Sequence, residues 1–332
     1  MNILGKEIEK DEVLNSIGDI SQIGGISSFE FNDGVSKGVR AIEIKTIAGL
    51  NMTVLLDRGM DISFLSYKSV PISFRSKVRE TSPTYFESRG YEFLRTFFGG
   101  FLTTCGLTYM GPQSKNGGEE FGLHGRISNI SAENVWADGE WSEKTYKIWV
   151  YGKVREAKFF GDYLQLTRKI TTYMDKPEIT IEDTVENIGK RKPPLMILYH
   201  LNFGYPFLNS NSKIIEGEAE VKPLNENSER DFNKYREFCK PTVGFKEQAF
   251  LHDIKPDSDG NSNIALVDST FNDGNGLGIW LKFNKDNLPY LLEWKNASPG
   301  ENVCGLEPVR TGIQDMCGNN KPCQKIWKYT CK

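Results

Sequence analysis

The chain has 332 residues and a net charge of −3, and its charged residues (26%) form no basic cluster that could face the phosphates of a nucleic acid. It contains no run of 18 apolar residues, so the sequence predicts no membrane-spanning helix. The N-terminal residues are polar and charged and lack the apolar core of a signal peptide, and we therefore expect a cytoplasmic protein.

The first predicted element is a short helix near the N-terminus. Helical spacing covers residues 6–17 and ends at Gly18, a residue type that accepts the left-handed conformation after a last helical turn. A second, charge-rich helix candidate covers residues 227–238 and is expected to be a solvated surface segment. Helical periodicity is otherwise rare.

Strand patterns dominate the rest of the chain. Apolar and polar residues alternate over 42–44, 179–181 and 279–283, which is typical of strands with one buried and one solvated face. Turn signals such as Asn-Asp-Gly at 32–34 separate these patterns.

Many strands and few helices predict an all-β protein built as a large antiparallel β-sandwich. We expect a single domain over residues 1–332, with residues 1–34 packed on it as a helical and extended segment. A homodimer is one possible assembly, and the sequence leaves the oligomeric state open.

The six cysteines do not have the spacing of a metal site. Four of them lie at or beyond position 304, but no Cys-x-x-Cys pair or nearby histidine accompanies them. Free thiols are therefore expected, although a bridge between Cys317 and Cys323 is geometrically conceivable. No phosphate loop or dinucleotide fingerprint is present, so we expect neither a metal nor an organic cofactor.

Two of the three histidines lie in constrained segments. His124 is followed directly by a glycine, which favours a loop. His200 follows the apolar run 195–198 and precedes Asn202, in a segment of the kind that shapes a loop around a small polar ligand. Either histidine could instead be a core residue bonded to a backbone carbonyl. The third, His252, is interpreted as an ordinary surface residue.

Glu307 is the carboxylate that best complements these histidines. It lies between Leu306 and Pro308, where partial burial is expected, and burial without a partner is unfavourable. The structural alternative is an ion pair with Arg310. Two imidazoles and one carboxylate are suited to proton transfer at an uncharged substrate.

Two further segments could contact a sugar. Arg58 could donate a forked set of hydrogen bonds to hydroxyl groups, or it could stabilise a turn together with Asp57. Glu293 and Lys295 flank Trp294 as two polar side chains beside an aromatic platform, although packing of an edge strand explains this segment equally well. The glycine-rich apolar stretch 97–107 is suited to close packing or to a pocket wall.

Taken together, these segments resemble an uncharacterised aldose 1-epimerase-like family of the galactose mutarotase superfamily. The resemblance covers the chain from about residue 35 onward and depends on the order of five short motifs, which begin at Asp57, Gly99, Leu123, His200 and Gly305. It implies a galactose mutarotase-like supersandwich with a sugar pocket on one concave face.

The resemblance also implies a role for each residue. Glu307 corresponds to the general base, His200 to the general acid, and His124 to a substrate contact near the ring oxygen. Arg58, Asn202, Glu293 and Lys295 are the further predicted substrate-binding residues. The segment around His124 departs from the family patterns, and Ser128 stands where hexose-phosphate epimerases have an arginine, which weakens a phosphosugar assignment.

The expected function is therefore a carbohydrate isomerase that interconverts sugar anomers by acid–base ring opening, with a small sugar as its partner. A carboxylate near His200 is expected to raise the pKa of that histidine. Two alternatives stay open: a non-catalytic carbohydrate-binding or sensing protein, and an epimerase that acts at another carbon on the same scaffold.

Overall fold

The computed structural model describes residues 1–116, 118–142, 144–311 and 326–331. Its helices are short: α1 (Lys10–Ser16), α2 (Glu226–Arg230) and α3 (Phe271–Gly274), the last a distorted single turn. The strands are β1 (Asn2–Ile3), β2 (Lys6–Glu7), β3 (Gly25–Glu30), β4 (Arg40–Lys45), β5 (Leu50–Leu55), β6 (Asp61–Tyr67), β7 (Val70–Pro71), β8 (Phe74–Arg75), β9 (Gly99–Gly100), β10 (Leu102–Leu107), β11 (Ser114–Asn116), β12 (Glu119–Phe121), β13 (Glu133–Trp141), β14 (Tyr146–Ala157), β15 (Tyr163–Tyr173), β16 (Lys176–Asn187), β17 (Met196–Gly204), β18 (Lys213–Glu216), β19 (Ala219–Pro223), β20 (Gln248–Ile254), β21 (Asn261–Asp268), β22 (Leu277–Asn284), β23 (Tyr290–Ser298), β24 (Glu301–Val309) and β25 (Ile326–Cys331).

Two large sheets form the sandwich. The first has the order β19-β20-β23-β24-β17-β10-β6-β5-β4-β3, with β7 added beside β6. The second has the order β13-β14-β15-β16-β25-β22-β21-β18. The pairings within both sheets are antiparallel, which confirms the predicted all-β antiparallel sandwich.

The main hydrophobic core lies between the two sheets. It joins side chains of the first sheet, such as Val54 and Leu306, with side chains of the second, such as Ile148 and Leu166. Strand alternation sends every second residue into this core and its neighbours to the opposite face. The face of the first sheet that points away from the second sheet is called the site face below.

The N-terminal helix is shorter than predicted. Residues 6 and 7 pair with residues 2 and 3 as a small hairpin, so α1 begins only at Lys10. The helix ends at Ser16, because Ile17, the residue before Gly18, has an extended backbone. The helix buries Val13 in the core, and Ile3 packs against the same core. The second predicted helix is likewise broken, since α2 stops at Arg230. No helix in the described part of the chain is long and apolar enough to cross a membrane.

A buried charge network connects the two sheets. Arg168 of β15 donates to Asp183 of the adjacent strand at 2.9 and 2.6 Å, and to Asp61 of the first sheet at 3.1 Å. Tyr199 of β17 donates to the same Asp183 carboxylate at 2.8 Å. All three charged side chains are fully buried, and each carboxylate has a cation and a hydroxyl as partners. This network fixes β17 against the second sheet.

Candidate functional site

The site face of β17 and β24 brings His200 and Glu307 together. The two strands pair with Asn202 opposite Gly305 and Leu201 opposite Leu306, so the even residues of β17 and the odd residues of β24 share the site face. His200 Nε2 lies 3.2 Å from Glu307 Oε1. Both residues are nearly buried, with 5% and 3% of their surfaces exposed. A carboxyl group and an imidazole thus face each other in an enclosed environment.

His124 reaches the same place from a loop. Its backbone has a φ of +60° and is held by hydrogen bonds from His124 N to Gly111 O and from Gly106 N to His124 O. The next residue must be glycine, since a Cβ at Gly125 would lie 2.2 Å from Tyr109 O. The imidazole ring of His124 lies 5.8 Å from that of His200, centroid to centroid. The two scarce histidines are therefore neighbours.

Gly305 leaves the space that the Glu307 carboxylate and the His200 imidazole occupy. A Cβ at this position would lie 2.3 Å from Glu307 Oε1 and 3.2 Å from His200 Cε1. Only a residue without a side chain lets the carboxylate lean over the strand towards the imidazole. The glycine that precedes Leu306 and Glu307 in the sequence therefore has a steric role in the site.

Gly305→Ala is expected to displace the Glu307 carboxylate, and for the activity proposed below a displacement of about 1 Å would reduce turnover by about 10²-fold. Its unfolding midpoint should change little. The matched control is Gly217→Ala, at a position where a Cβ meets no described atom within 4 Å. Steady-state kinetics and thermal unfolding of both variants provide the measurement. Equal activity of the two variants would contradict the steric role.

Aromatic side chains surround the imidazoles. The rings of Phe97 and Trp294 lie 5.4 and 5.6 Å from the ring of His200, and Phe93 lies 5.3 Å from His124. Trp294 belongs to β23, where it is opposite Gly305, and its indole Nε1 donates to Glu247 Oε2 at 3.1 Å. The site therefore combines aromatic surfaces with a few polar groups, as small-molecule sites commonly do.

Burial favours the uncharged forms of all three titratable groups. Burial raises the pKa of Glu307 well above its ordinary value. Burial and the neighbouring His124 lower the pKa of His200, although the Asn202 side chain opposes this shift. Burial lowers the pKa of His124 to about 4. The prediction of a raised pKa for His200 is therefore wrong, because burial has the largest influence on this pKa and Glu307 is not among the groups that raise it.

Several polar atoms on this face lack a hydrogen bond. Within the described part of the protein, these buried atoms are Glu307 Oε1, His200 Nδ1, His124 Nδ1 and Asn202 Oδ1. The amide nitrogen of Asn202 donates to Gly99 O at 3.1 Å and to His200 O at 2.9 Å, which fixes its orientation. Buried polar groups without partners are unfavourable. Three of these atoms belong to site-face residues of β17 and β24, and the fourth belongs to His124, whose ring lies 5.8 Å from that of His200. They are available to a polar ligand.

Arg58 is buried and bonded within the protein, which does not support its predicted contact with a sugar. Its guanidinium is fully buried and donates to three backbone carbonyls, those of Ser128 (2.7 Å), Thr81 (2.7 Å) and Thr96 (2.8 Å). These carbonyls belong to segments distant in sequence, so Arg58 ties loops together. The predicted turn arrangement with Asp57 is also replaced, since Asp57 pairs with Arg40 at 2.6 Å.

Glu293 and Lys295 also lie away from the site, and strand alternation is the reason. They flank Trp294 in β23, so they point to the opposite face, into the interior between the sheets. Lys295 Nζ lies 2.8 Å from Glu293 Oε1 and donates to Glu237 O at 3.1 Å. The aromatic platform is thus on the site face, whereas the two charged side chains predicted beside it are not.

His252 is not the surface residue that the sequence suggested. It is fully buried between two carboxylates, with Nδ1 2.7 Å from Glu216 and Nε2 2.9 Å from Glu293. Burial alone would lower the pKa of His252, but the two carboxylates raise it to about 9. The histidine is therefore an imidazolium that links the two sheets through β18 and β23.

We expect His252 to make stability depend on pH. A pKa raised from 6.5 in the unfolded chain to about 9 corresponds to about 3 kcal/mol of stabilisation. That contribution is complete below pH 6.5 and is lost as the pH rises through about 9. Urea unfolding of wild type and His252→Gln at about pH 6 and about pH 10 provides the measurement. The difference between the two proteins should be large at the lower pH and should shrink at the higher one. A gap that is the same at both pH values would contradict this assignment.

The structural alternative for Glu307 was an ion pair with Arg310. In the structure Glu307 faces His200, and the guanidinium of Arg310 donates to Asn287 O at 3.4 Å. Cys105, Cys239 and Cys304 are free thiols. The conceivable bridge between positions 317 and 323 lies outside the described residues. The described part of the chain contains no cluster of potential metal ligands.

Glu247, whose carboxylate accepts a hydrogen bond from Trp294 at the edge of the site, was missed by the sequence predictions. It directly precedes β20 in an exposed polar stretch with no motif, and only the pairing of β20 with β23 brings it to Trp294. Phe93 was missed for a similar reason, since it belongs to a separate one-turn helix at Glu92–Arg95.

Comparisons with known proteins agree with this fold. The sequence pattern of a family described as "Domain of unknown function (DUF4432)" matches residues 36–316. No curated protein matches the chain. Among solved structures, a candidate aldose 1-epimerase from Klebsiella pneumoniae has 22% identity and a TM-score of 0.86, and the match covers 98% of this chain and 85% of that one.

Two further structures are similar at lower identity. A galactose mutarotase-like protein from Clostridium acetobutylicum has 15% identity and a TM-score of 0.60, and the match covers 94% of this chain and 98% of that one. Galactose 1-epimerase from Lactobacillus acidophilus has 13% identity and a TM-score of 0.54, with coverages of 92% and 97%. These similarities confirm the predicted galactose mutarotase-like fold.

Proposed function

This chain belongs to the DUF4432 family, described as a domain of unknown function, and we propose that it is an aldose 1-epimerase-type isomerase. The supporting observation is the distance of 3.2 Å between Glu307 Oε1 and His200 Nε2 in a nearly closed environment. His124, 5.8 Å from His200, provides a third polar group for the substrate.

The proposed reaction opens and recloses a sugar ring. Glu307, as a carboxylate, removes the proton of the anomeric hydroxyl while His200, as an imidazolium, donates a proton to the ring oxygen. The C1–O5 bond breaks, which leaves a carbonyl at C1 and a hydroxyl at C5. Rotation about C1–C2 presents the other face of the carbonyl, and the reverse proton transfers close the ring. Each such transfer contributes on the order of 10²–10⁴ in rate.

The electrostatics of the site favour one stage of this cycle. The pair holds one transferable proton throughout, either on Glu307 or on His200. Ring opening converts the charged arrangement into a neutral carboxylic acid and a neutral imidazole. Burial favours that neutral arrangement, as the raised pKa of Glu307 and the lowered pKa of His200 indicate. The enclosed site therefore stabilises the complex with the open-chain sugar relative to water.

The other polar and aromatic groups would bind the substrate. We assign His124 to the neighbourhood of the ring oxygen and Asn202 Oδ1 to a hydroxyl group, since both side chains have an unpartnered polar atom there. Phe97 and Trp294 provide apolar surfaces next to His200. Every group in this mechanism is a side chain of the protein, so the proposal includes no cofactor.

The two alternatives differ from this proposal in what they need. A binding or sensing protein needs no acid–base pair, whereas this site keeps a buried one despite its cost in burial energy. An epimerase at another carbon would remove a proton from carbon and exchange it with solvent. The buried pair is compatible with that reaction, so only experiment separates it from mutarotation.

Exchange NMR in deuterium oxide is the test that separates the three activities. A panel of pentoses, deoxy sugars, hexoses, ketoses and uronates would be followed with wild-type protein. Faster exchange between anomers without deuterium on carbon supports the proposal. Deuterium incorporation at carbon indicates the other epimerisation, and binding without faster exchange indicates a sensor. We further propose a cytoplasmic protein that acts on a small sugar, without a nucleic-acid or membrane partner, and a homodimer is the assembly to test by light scattering.

A further inference from the structure

We infer that Glu247 is a specificity-determining residue, because its carboxylate, held at the edge of Trp294, would accept hydroxyl groups of an uncharged sugar and disfavour a sugar with a negative substituent. The inference deepens the proposed function and depends on it. It adds a residue that no motif in the sequence marks.

The sheet places Glu247 on the site face. Strand β20 pairs with β23 so that Ala249 is opposite Trp294, and Glu247 precedes Ala249 by two residues. Residues two apart in an extended segment point to the same face. Trp294 Nε1 donates to Glu247 Oε2 at 3.1 Å, and the ring of Trp294 lies 5.6 Å from the ring of His200. One tryptophan thus separates the exposed carboxylate from the acid–base pair.

The backbone around Glu247 is anchored by the preceding helix. Asn225 and Asn227 each donate a side-chain amide to Glu247 O at 3.5 Å. The backbone N of Ala249 donates to Ser228 Oγ at 2.8 Å. Although the carboxylate is exposed, its position is therefore set by α2 on one side and by the indole on the other. A fixed acceptor beside an aromatic ring is suited to a ligand that presents hydroxyl groups next to an apolar face.

Of the site-face side chains described above, Glu247 and Glu307 are acidic and none is basic, whereas Lys246 directly precedes Glu247 in the sequence. Glu307 is a second carboxyl group in the site, and both imidazoles have lowered pKa values. The two basic residues that the sequence suggested for this region are directed away: Lys295 lies on the other face of β23, and Arg58 is bound to three carbonyls. Like charges about 4 Å apart disfavour binding by roughly fivefold in water and more strongly near a protein surface.

The test compares matched sugars that differ in one charge. D-galactose is paired with D-galacturonate, and D-glucose with D-glucuronate, and kcat/KM for anomer exchange is measured for each. Wild type should prefer the neutral member of a pair. Glu247→Gln, which keeps an acceptor for Trp294, should reduce that preference by about fivefold or more, mainly by raising kcat/KM for the uronate. The control Glu220→Gln makes the same charge change at an exposed site and should leave the preference unchanged.

Binding measurements separate failure of this inference from failure of the proposed function. The dissociation constant of each sugar is measured by NMR titration for wild type and for both variants. If exchange is catalysed but Glu247→Gln leaves the preference unchanged, or if Glu220→Gln alters it equally, the role of Glu247 is overturned while the activity stands. Another outcome is that no sugar is turned over, but wild type binds the uronates less tightly than the neutral sugars and Glu247→Gln restores uronate binding. The proposed activity then fails and the role of Glu247 stands. An absence of binding by every probe overturns both.

Discussion

Glu307→Gln is expected to lower the rate of anomer exchange by about 10²–10⁴-fold, because it removes a proton-transfer group and keeps the shape of the side chain. The glutamine side chain could still fit over Gly305, where Oε1 of the glutamate lies 3.2 Å from His200 Nε2. It could neither accept nor release a proton at neutral pH. The measurement is the initial rate of approach to anomeric equilibrium by polarimetry, with the best substrate of the NMR panel.

The same variant is expected to be more stable than wild type at alkaline pH. The pKa of Glu307 is raised in the folded state, so its contribution to stability is complete below the unfolded value of 4.5 and is lost as the pH rises through the folded value. Glutamine stays neutral and avoids that loss. A gain of about 1–2 kcal/mol in unfolding free energy at about pH 8, and a smaller gain at about pH 5, is expected from the usual trade-off between stability and function.

The combination of lost activity and gained stability is the informative result. Replacing a merely structural carboxyl group would lower the stability of the protein and would affect activity only through folding. His200→Asn should lose activity to a similar extent, and the double variant should lose little more than either single one, since the two side chains act as a unit. Glu220→Gln, at an exposed position, is the control for the change in charge. Wild-type exchange rates in Glu307→Gln would rule out the assignment.

The fold could be predicted because its signals are local, and the roles expected for Glu307 and His200 came from the resemblance to a known family. Alternation of apolar and polar residues marks each strand, and turn residues mark its ends. Together they predict an antiparallel sandwich without knowledge of which strands are neighbours. Glu307 and His200 are marked by their immediate flanks, a glycine two residues before the first and a polar, glycine-containing segment after the second. The steric need for Gly305 explains why that flank is informative.

The errors come from properties that depend on distant segments. Arg58 is buried because carbonyls of residues 81, 96 and 128 converge on it, and no local pattern announces that convergence. His252 is surrounded by Glu216 and Glu293, which lie on other strands. The direction of the pKa shift of His200 was missed because it depends on how completely the site excludes water.

One error could have been avoided from the sequence alone. Glu293 and Lys295 flank Trp294, and in a strand the residues on either side of a given residue point to the opposite face. With Trp294 on the face of the site, both of its charged neighbours therefore point to the opposite face. Glu247, in contrast, becomes a candidate only when the register of β20 and β23 is known.

Arg168→Met is expected to have the largest effect on stability, a loss of about 3–5 kcal/mol, because it leaves charged partners buried without a counterion. Arg168 contacts Asp183 at 2.6 Å and Asp61 at 3.1 Å, and all three side chains are fully buried. Methionine fills a similar volume but cannot compensate either carboxylate. Urea unfolding of wild type and variant at about pH 7 provides the measurement.

The pH dependence and a rescue variant distinguish this mechanism from simple loss of packing. Burial raises the pKa of Asp61 and Arg168 opposes that shift, so without Arg168 the pKa of Asp61 is expected to rise further. The variant should therefore lose further stability as the pH rises above about 4 and recover part of it on acidification. Adding Asp61→Asn and Asp183→Asn to the methionine variant removes both uncompensated charges. Asparagine can still accept from Thr104 or from Tyr199, the present partners of the two carboxylates. We therefore expect the triple variant to regain roughly half or more of the lost stability at neutral pH. A triple variant no more stable than Arg168→Met would contradict the role of charge compensation. It would mean that the second sheet holds β17 and its His200 in place through packing of the guanidinium.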